Sequence, residues 1–248
     1  MPINKNNDLK PASSTSLLGQ SGDIHHWVFD LDNTLYSADS HLFDQIDRRM
    51  GDFIASLLDL EYLAARKIQK DYFHTYGTTL RGLMLHHKVE PKTFLDFVHD
   101  IDLSVIPENA ALINALDGLE GDCVIFTNAS RDHAEQIVEH LGITRFFDGI
   151  FDICDADYLP KPEMETYDRF IKTHAIDPAR AILFEDTAAN LKPADQLGMT
   201  TVLVTPGEDG VTNETNADHI HHITDDLAHW LTKQTNAPQM PKPGAKVD

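Results

Sequence analysis

Two hydrophobic patterns alternate along most of this chain. Short apolar runs, typical of buried strands, are separated by segments in which apolar residues recur every three or four positions, as in amphipathic helices. The predicted strands are residues 24–29, DCVIFTN, FDGIFDIC, RAILFED and TTVLVT. The predicted helices between and after them are ENAALINAL, SRDHAEQIVEHLG, PEMETYDRFIKTHA, NLKPADQLG and DDLAHWLTK. This alternation predicts an α/β fold, a doubly wound parallel sheet with helices on both faces.

The pattern changes between the first and second predicted strands. Residues 37–106 are helical in character throughout, as in HLFDQIDRRMGDFIASLL, and predict a small helical domain inserted after the first strand. The α/β core then comprises residues 23–36 and 107–234. Residues 1–22 resemble a flexible leader without the apolar stretch of a secretory signal, and the Pro-rich residues 235–248 predict a disordered tail.

Composition narrows the possible partners. The formal net charge is −20, which disfavours polymeric nucleic acid and anionic membrane surfaces as partners. A small anionic substrate would need a site whose local charge is reversed by a metal, a lysine and backbone N–H groups. Cys123 and Cys154 each lie in an apolar run, which predicts buried, reduced thiols and a cytoplasmic location.

Polar residues follow several predicted strands, at the edge where parallel α/β sheets bind ligands. Candidate oxygen ligands for Mg²⁺ are Asp30, Asp32 and Asp186, with Glu185 as a further candidate. Lys161 adds a positive charge, and Thr127 and Asn128 can donate hydrogen bonds to a phosphate. Taken singly, each residue also fits a plainer role, such as a polar turn, a loop lysine or a helix cap.

Two of these aspartates are suited to different steps of phosphate-ester hydrolysis. Asp30 directly follows the first strand and is the better-fixed nucleophile, able to form an aspartyl phosphate. Asp32 can donate a proton to the leaving alkoxide and later accept one from water. That second role predicts a raised pKa for Asp32, and the neighbouring carboxylate acts in this direction.

Four segments together resemble the motifs of the haloacid dehalogenase-like hydrolase superfamily: FDLDNTLY, IFTNAS, LPKPE and FEDTAANLKPA, in that order. The resemblance implies a Rossmann-like core, Asp30 as nucleophile, Asp32 as acid–base and Lys161 as charge clamp. It also implies Thr127 as phosphate ligand. Mg²⁺ would be held by Asp186, Asp30 and the backbone carbonyl of Asp32, with Asn190 in a supporting role. Asn33 replaces the more usual glycine of the first motif, which is compatible with a positive φ.

The inserted helical region resembles the small cap of this superfamily. Its stretch DYFHTYGTTLRGLMLHHKVEP is similar to the cap of the pyrimidine 5′-nucleotidase group. Arg81 could contact a base carbonyl or a phosphate, although a surface salt bridge is the commoner role for such an arginine. Tyr36, Tyr72, Phe73 and Tyr76 could stack on a base, with core packing as the alternative.

The sequence therefore predicts a Mg²⁺-dependent phosphomonoester hydrolase acting on a small phosphate ester, first a pyrimidine nucleoside 5′-monophosphate such as UMP or CMP. The alternatives are another small ester such as phosphoglycolate or a sugar phosphate, then a phosphomutase, then a catalytically silent binding protein. Asp32 itself favours ester chemistry over carbon–halogen cleavage, because a halide leaves without a proton. The paired histidines at 25–26, 86–87 and 219–222 are predicted to be solvated or on edge strands. Asp155 and Asp157 are predicted to belong to a loop surface.

Overall fold

The computed structural model describes residues 24–206 and 217–235, so the predicted leader and the tail from residue 236 lie outside the described residues. Within these residues the strands are β1 (His26–Phe29), β2 (Asp122–Phe126), β3 (Gly149–Phe151), β4 (Ala181–Glu185), β5 (Thr200–Val204) and β6 (His222–Thr224). These six strands form one parallel sheet in the order β3-β2-β1-β4-β5-β6. The predicted parallel α/β fold is confirmed.

The strand order places a topological switch point between β1 and β4. The chain proceeds outwards from β1 through β2 to β3, and then crosses back to β4 on the other side of β1. In such a sheet the connections on the two sides of the switch point diverge, leaving a crevice beyond the carboxyl ends of the strands. Residues directly after β1 and at the end of β4 therefore face this crevice.

Helices cover both faces of the sheet because alternate strand residues point to opposite sides. These helices are α5 (Ala110–Asp117), α6 (Arg131–His140), α7 (Met164–Thr173), α8 (Ala188–Leu197) and α9 (Leu227–Thr235). Trp27 and Phe29 belong to an apolar cluster on one face of the sheet, with residues of α5, α6 and α9, whereas Val28 belongs to a cluster on the other face, with residues of α7 and α8. This arrangement is the doubly wound packing that the sequence predicted.

The segment between β1 and β2 contains four helices and its own apolar cluster. They are α1 (Leu42–Leu58), α2 (Tyr62–Tyr76), α3 (Thr79–His87) and α4 (Pro91–Val98). Ile46, Ile54, Leu83 and Phe94 are buried together in this cluster, and Ile153 from the loop after β3 joins them. The helical content of the segment agrees with the sequence, while its division from the core at residues 37 and 106 remains a prediction.

Element boundaries differ modestly from the sequence prediction. Strand β1 begins at His26 rather than residue 24, and α7 begins at Met164, with Glu163 as its N-cap, so Pro162 precedes the helix instead of opening it. Strand β6 was not predicted, because HIT is too short and too polar to form an apolar run. Its His222 is the edge-strand histidine that the sequence allowed.

The two cysteines are both free, but only Cys123 is buried. Cys154 is exposed, so its predicted burial is wrong: it belongs to a turn after β3 and not to the strand itself. Within the part of the chain that the structure describes, no helix is long and apolar enough to cross a bilayer.

We expect Phe170→Ala to lower the free energy of unfolding by about 3–5 kcal/mol. The Phe170 ring is 0% exposed. It stacks on Phe126 at 4.4 Å between centroids and meets Phe151 edge-on, so its loss leaves a cavity beside the sheet. Urea denaturation measures the change. Phe73→Ala removes a ring that is 50% exposed and should cost less than about 1 kcal/mol; equal losses would contradict the assigned core.

Candidate active site

The candidate site lies at the switch point of the sheet, beyond the ends of β1 and β4. Asp30 follows the last residue of β1, and its backbone N–H donates to the Phe184 carbonyl at 2.9 Å. Glu185 is the last residue of β4, and Asp186 comes next. Because Phe29 pairs with Phe184 in the β1–β4 register, the carboxylates that follow these residues are neighbours.

Lys161 is brought into the site by the loop that follows β3, and it is 2% exposed. Its ammonium donates to Asp30 Oδ1 at 2.7 Å, to Glu185 Oε2 at 2.6 Å and to the Phe126 carbonyl at 2.8 Å. All three N–H groups of the ammonium are therefore satisfied. The interpretation of Lys161 as a solvated loop lysine is wrong, and its predicted proximity to Asp30 is confirmed.

The carboxylates at this site have raised pKa values. Burial and the charge of Glu185 raise the pKa of Asp30 to about 7, against the opposing effect of Lys161. Burial likewise raises the pKa of Glu185 to about 7, and burial together with Asp30 raises that of Asp186 to about 6. The two flanking carboxylates keep the pKa of Lys161 above its ordinary value despite its burial.

Asp30, Glu185 and Asp186 form a group that fits a divalent metal ion. Each can offer an oxygen, and these oxygens lie within 4.8 Å of one another. Three ionised carboxylates and one ammonium leave a net charge of −2, which a divalent cation would cancel. An all-oxygen set of this kind suits a hard cation such as Mg²⁺. The Asp32 carboxylate is outside the group, and ligation by its backbone carbonyl remains a prediction.

Asp32 lies in a different environment from Asp30. Its Oδ1 accepts a hydrogen bond from the Tyr36 hydroxyl at 2.7 Å and lies 3.0 Å from Nε2 of His133. Burial alone would raise the pKa of Asp32, but the charge and hydrogen bond of His133, aided by Tyr36, lower it below the ordinary value. The predicted elevation is therefore wrong, because sequence reasoning did not include His133.

Thr127 and Asn128, the two phosphate-binding candidates after β2, differ in whether the side chain is free to bind a ligand. Thr127 is buried at the end of the strand, and its hydroxyl accepts from the Ala129 N–H at 3.0 Å, so its proton is free to point towards a ligand. Both ends of the Asn128 amide are instead bound to the backbone of Lys161, at 2.8 and 3.3 Å. Asn128 thus holds the Lys161 loop in place, a contact that the sequence did not predict.

Two other asparagines belong to the first and fourth motifs. Asn33 has a φ of 61°, as its turn requires, and its amide donates to Asp186 Oδ2 at 3.3 Å. This contact ties the first motif to the fourth. Asn190 is buried in the first turn of α8, where its backbone carbonyl accepts from the Tyr167 hydroxyl. Its predicted supporting role remains a prediction.

The helical segment approaches the site through the loop between α2 and α3. A Cβ added to Gly77 would lie 3.0 Å from the Pro160 side chain, next to Lys161. Arg81 forms an ion pair with Glu163 at 3.2 Å across the same boundary. The salt-bridge alternative therefore describes Arg81 in this structure, and its substrate contact remains a prediction.

The aromatic candidates of the segment fall into two groups. The ring of Tyr36 is buried and its hydroxyl is bound to Asp32, so it is not available to stack on a base. Tyr72 and Tyr76 contact each other edge-on and bond to His87 and His86, whereas Phe73 is half exposed. Stacking by these three remains a prediction.

Two loop aspartates behave as the sequence predicted. Asp155 pairs with Arg131 at 2.7 Å, and Asp157 lies 4.0 Å from Arg169. Both are exposed and take part in surface ion pairs away from the carboxylate group that could hold a metal.

Sequence reasoning missed a pair of histidines beside Asp32. His133 lies in the first turn of α6, and its ring stacks on His99 at 4.2 Å with an interplanar angle of 15°. His99 follows α4 and hydrogen-bonds to Ser130 at 3.0 Å, while burial and His133 lower its pKa to about 3. The available signal was the position of His133 three residues after the cap residue Ser130, on a helix that starts at the predicted site.

Comparison with known proteins identifies the family. The haloacid dehalogenase-like hydrolase family model matches residues 24–198. The chain belongs to this family, as its four motifs indicated.

Two curated relatives are similar over most of this chain. Phosphate metabolism protein 8 of Saccharomyces cerevisiae is 25% identical over 71% of this chain, which spans only 60% of the length of the yeast protein. Glyceraldehyde 3-phosphate phosphatase of Methanocaldococcus jannaschii is 26% identical over 73% of this chain and 85% of its own length.

Solved structures agree on the fold. The HAD phosphatase from Thermococcus onnurineus has a TM-score of 0.61, with 16% identity over 87% of this chain and 100% of that chain. The L-2-haloacid dehalogenase from Xanthobacter autotrophicus has a TM-score of 0.54, with 15% identity over 84% and 97% of the two chains.

Divalent-cation affinity should increase with pH. Because the pKa values of Asp30, Glu185 and Asp186 are raised to about 7, 7 and 6, Mg²⁺ must displace protons at lower pH. We expect Mg²⁺ to bind at least roughly tenfold more tightly at about pH 8 than at about pH 6, as measured by isothermal titration calorimetry. Asp186→Asn should weaken binding and flatten this dependence, and equal affinity at both pH values would contradict the assigned ligands.

Lys161→Met should lower the free energy of unfolding by about 3–5 kcal/mol at neutral pH, because it leaves Asp30 and Glu185 buried without a counter-ion. The loss should shrink at about pH 5, where these carboxylates are protonated. Urea denaturation at both pH values tests this. Lys70→Met, which removes a half-exposed partner of Asp47, should cost at most about 1 kcal/mol; a comparable loss there would argue against the special role of Lys161.

Proposed function

We propose that this protein is a Mg²⁺-dependent phosphomonoester hydrolase that acts through an aspartyl-phosphate intermediate on Asp30. The observation that carries the proposal is the separation of two aspartates into different environments. Asp30 lies in the group with Lys161, Glu185 and Asp186 that fits a divalent cation, whereas Asp32 is held by Tyr36 outside that group. One site thus offers both a nucleophile and an acid–base group.

The cation would be held by Asp30 and Asp186, with Glu185 as a further candidate whose oxygens already bond to Lys161 and the Thr187 N–H. When bound, Mg²⁺ supplies positive charge that keeps the carboxylates ionised and offsets the charge of a phosphate. Lys161 adds a fixed positive charge next to the nucleophile. The local charge reversal that an anionic substrate requires is then met within an acidic protein.

In the first step an oxygen of Asp30 attacks phosphorus and the bond from phosphorus to the ester oxygen breaks. The leaving alkoxide takes a proton from Asp32, and Asp30 carries the phosphoryl group. The negative charge of the bound phosphate raises the pKa of Asp32 by like-charge repulsion, which opposes the effect of His133. The Thr127 hydroxyl donates to a phosphate oxygen.

In the second step a water molecule attacks the phosphorus of the aspartyl phosphate. Asp32, now ionised, accepts a proton from this water, the bond from phosphorus to Asp30 breaks, and phosphate leaves. Asp30 returns as a carboxylate, and the proton that Asp32 takes from water balances the one that it gave to the alkoxide in the first step. Besides the phosphate ester, the two steps consume only water.

The chemistry of the leaving group separates this proposal from dehalogenation, although haloacid dehalogenases share the fold. A halide leaves without a proton, whereas an alkoxide needs one. Asp32 and its hydrogen bonds from Tyr36 and His133 supply a proton-transfer group that carbon–halogen cleavage would not use.

For the substrate we propose a pyrimidine nucleoside 5′-monophosphate, on the similarity of residues 71–91 to the nucleotidase cap. Arg81 and Gly77 place this stretch at the boundary with the Lys161 loop, where a cap residue could meet the leaving group. A small three-carbon phosphate is a second candidate, because one relative is a glyceraldehyde 3-phosphate phosphatase. A cytoplasmic location remains a prediction.

Purified protein with Mg²⁺ should release inorganic phosphate from UMP or CMP. Asp30→Asn should reduce kcat by about 10³-fold or more, since the amide cannot act as the nucleophile. A panel that also contains glyceraldehyde 3-phosphate, phosphoglycolate and a sugar phosphate ranks the substrates by kcat/KM.

The outcomes of this panel are distinct. No release above the Asp30→Asn level on any ester would refute the hydrolase and leave a binding protein. Preference for a non-nucleotide ester would retain the hydrolase and refute the nucleotidase assignment. Isomerisation of the sugar phosphate without net release would indicate a phosphomutase instead.

A further inference from the structure

His133 is a buried histidine that contacts the proposed acid–base aspartate. It is 1% exposed, and its Nε2 lies 3.0 Å from Oδ1 of Asp32. The Tyr36 hydroxyl donates to the same Oδ1 at 2.7 Å. Both hydrogen bonds that the described residues make to this carboxylate therefore involve one oxygen, and they leave Oδ2 for the reacting groups.

The backbone and the ring of His133 are each held by a contact. The backbone N–H donates to the Ser130 hydroxyl at 3.4 Å in the first turn of α6. The ring stacks on His99, which bonds through Nδ1 to the same Ser130 hydroxyl at 3.0 Å. Because the backbone is anchored and stacking restricts rotation of the buried imidazole, Nε2 is a fixed point against which a carboxylate can be oriented.

We propose that His133 is a positioning residue for the acid–base aspartate: its Nε2–H donates to Oδ1 of Asp32 and thereby turns Oδ2 towards the leaving oxygen of the substrate. His133 does not touch the substrate and acts through Asp32. The inference deepens the proposed function and rests on it. Because His99 directly follows α4, the inserted helical segment supplies the ring that stacks on His133.

The physical consequence is a dependence on the leaving group. An alkoxide is a poor leaving group and needs the proton of Asp32 as the ester bond breaks, whereas a nitrophenolate leaves without one. A misdirected Asp32 should therefore slow cleavage of an alkyl phosphate and leave cleavage of p-nitrophenyl phosphate nearly unchanged. The appropriate quantity is kcat/KM, because it reports the step that phosphorylates Asp30 and excludes the later hydrolysis, which is common to both substrates.

Two amide variants form a matched pair. In His133→Gln the amide nitrogen can reach the position of Nε2 and still donate to Asp32, whereas in His133→Asn the side chain is one carbon shorter and cannot. We expect His133→Asn to lower kcat/KM for the best alkyl ester of the panel by about 10–100-fold and that for p-nitrophenyl phosphate by less than about threefold. His133→Gln should recover most of the loss on the alkyl ester.

A control on the same helix is His140→Gln. In the native protein Nε2 of His140 bonds to the Ile106 carbonyl and not to an acidic side chain. The variant should leave the ratio of the two kcat/KM values unchanged. Equal losses on both substrates in His133→Asn, no loss on either, or failure of His133→Gln to recover activity would each overturn the positioning role while the hydrolase stands. Wild-type protein that cleaves neither ester would refute the proposed function as well.

If His133→Asn does not fold, the pair His133→Gln and His133→Leu keeps the inference testable. His133→Leu fills the space with an apolar side chain and removes the donor. A leaving-group effect in His133→Leu that is absent in His133→Gln supports the role, and the same ratio in both variants refutes it.

Discussion

The buried ammonium of Lys161 is the interaction on which the rest of the site depends. It joins three parts of the fold: Asp30 after β1, Glu185 at the end of β4 and the Phe126 carbonyl at the end of β2. Removing three charged groups from water is costly unless they are paired and fully hydrogen-bonded, and here all three N–H groups of the ammonium find acceptors. Asn128 secures the backbone of the same lysine, so the loop and the strand ends are assembled as one unit.

The ammonium of Lys161 does not neutralise all the negative charge of this unit, and the remaining charge is what a divalent cation would offset. With Asp186 included, the carboxylates outnumber the ammonium by two, and burial raises the pKa values of all three acids. A divalent cation would restore neutrality and lower those values. Asp32 shows the opposite behaviour, since His133 and Tyr36 stabilise its ionised form and a bound phosphate would destabilise it. The two aspartates therefore take up their proposed roles only when cation and substrate are both bound.

Much of the fold could be predicted because each of the strands β1 to β5 lies in an apolar run with a polar residue at or directly after its end, and parallel strands present those ends at one edge. The short strand β6 could not be predicted, because it has a single apolar residue, Ile223, and is stabilised by its pairing with β5. Cys154 could not be placed either, since an apolar neighbourhood in sequence does not distinguish the end of a strand from the turn after it. The bonds from Asn128 to the backbone of Lys161 could not be predicted, because they join segments that are distant in the chain, whereas the ion pair of Arg81 with Glu163 agrees with the salt-bridge alternative.

The sequence by itself determined the parallel α/β class, the inserted helices and the placement of Asp30, Lys161 and Asp186 at one edge of the sheet, because these follow from hydrophobic periodicity and from the polar residues and loops that come after the strands. Only the tertiary structure decided which charged and hydrogen-bonding groups surround each of the site's carboxylates. Asp32 and His133 are separated by 101 positions, and His99 directly follows a helix of the inserted segment. A pKa depends on distances to charges and on burial, and neither is set until distant segments pack together.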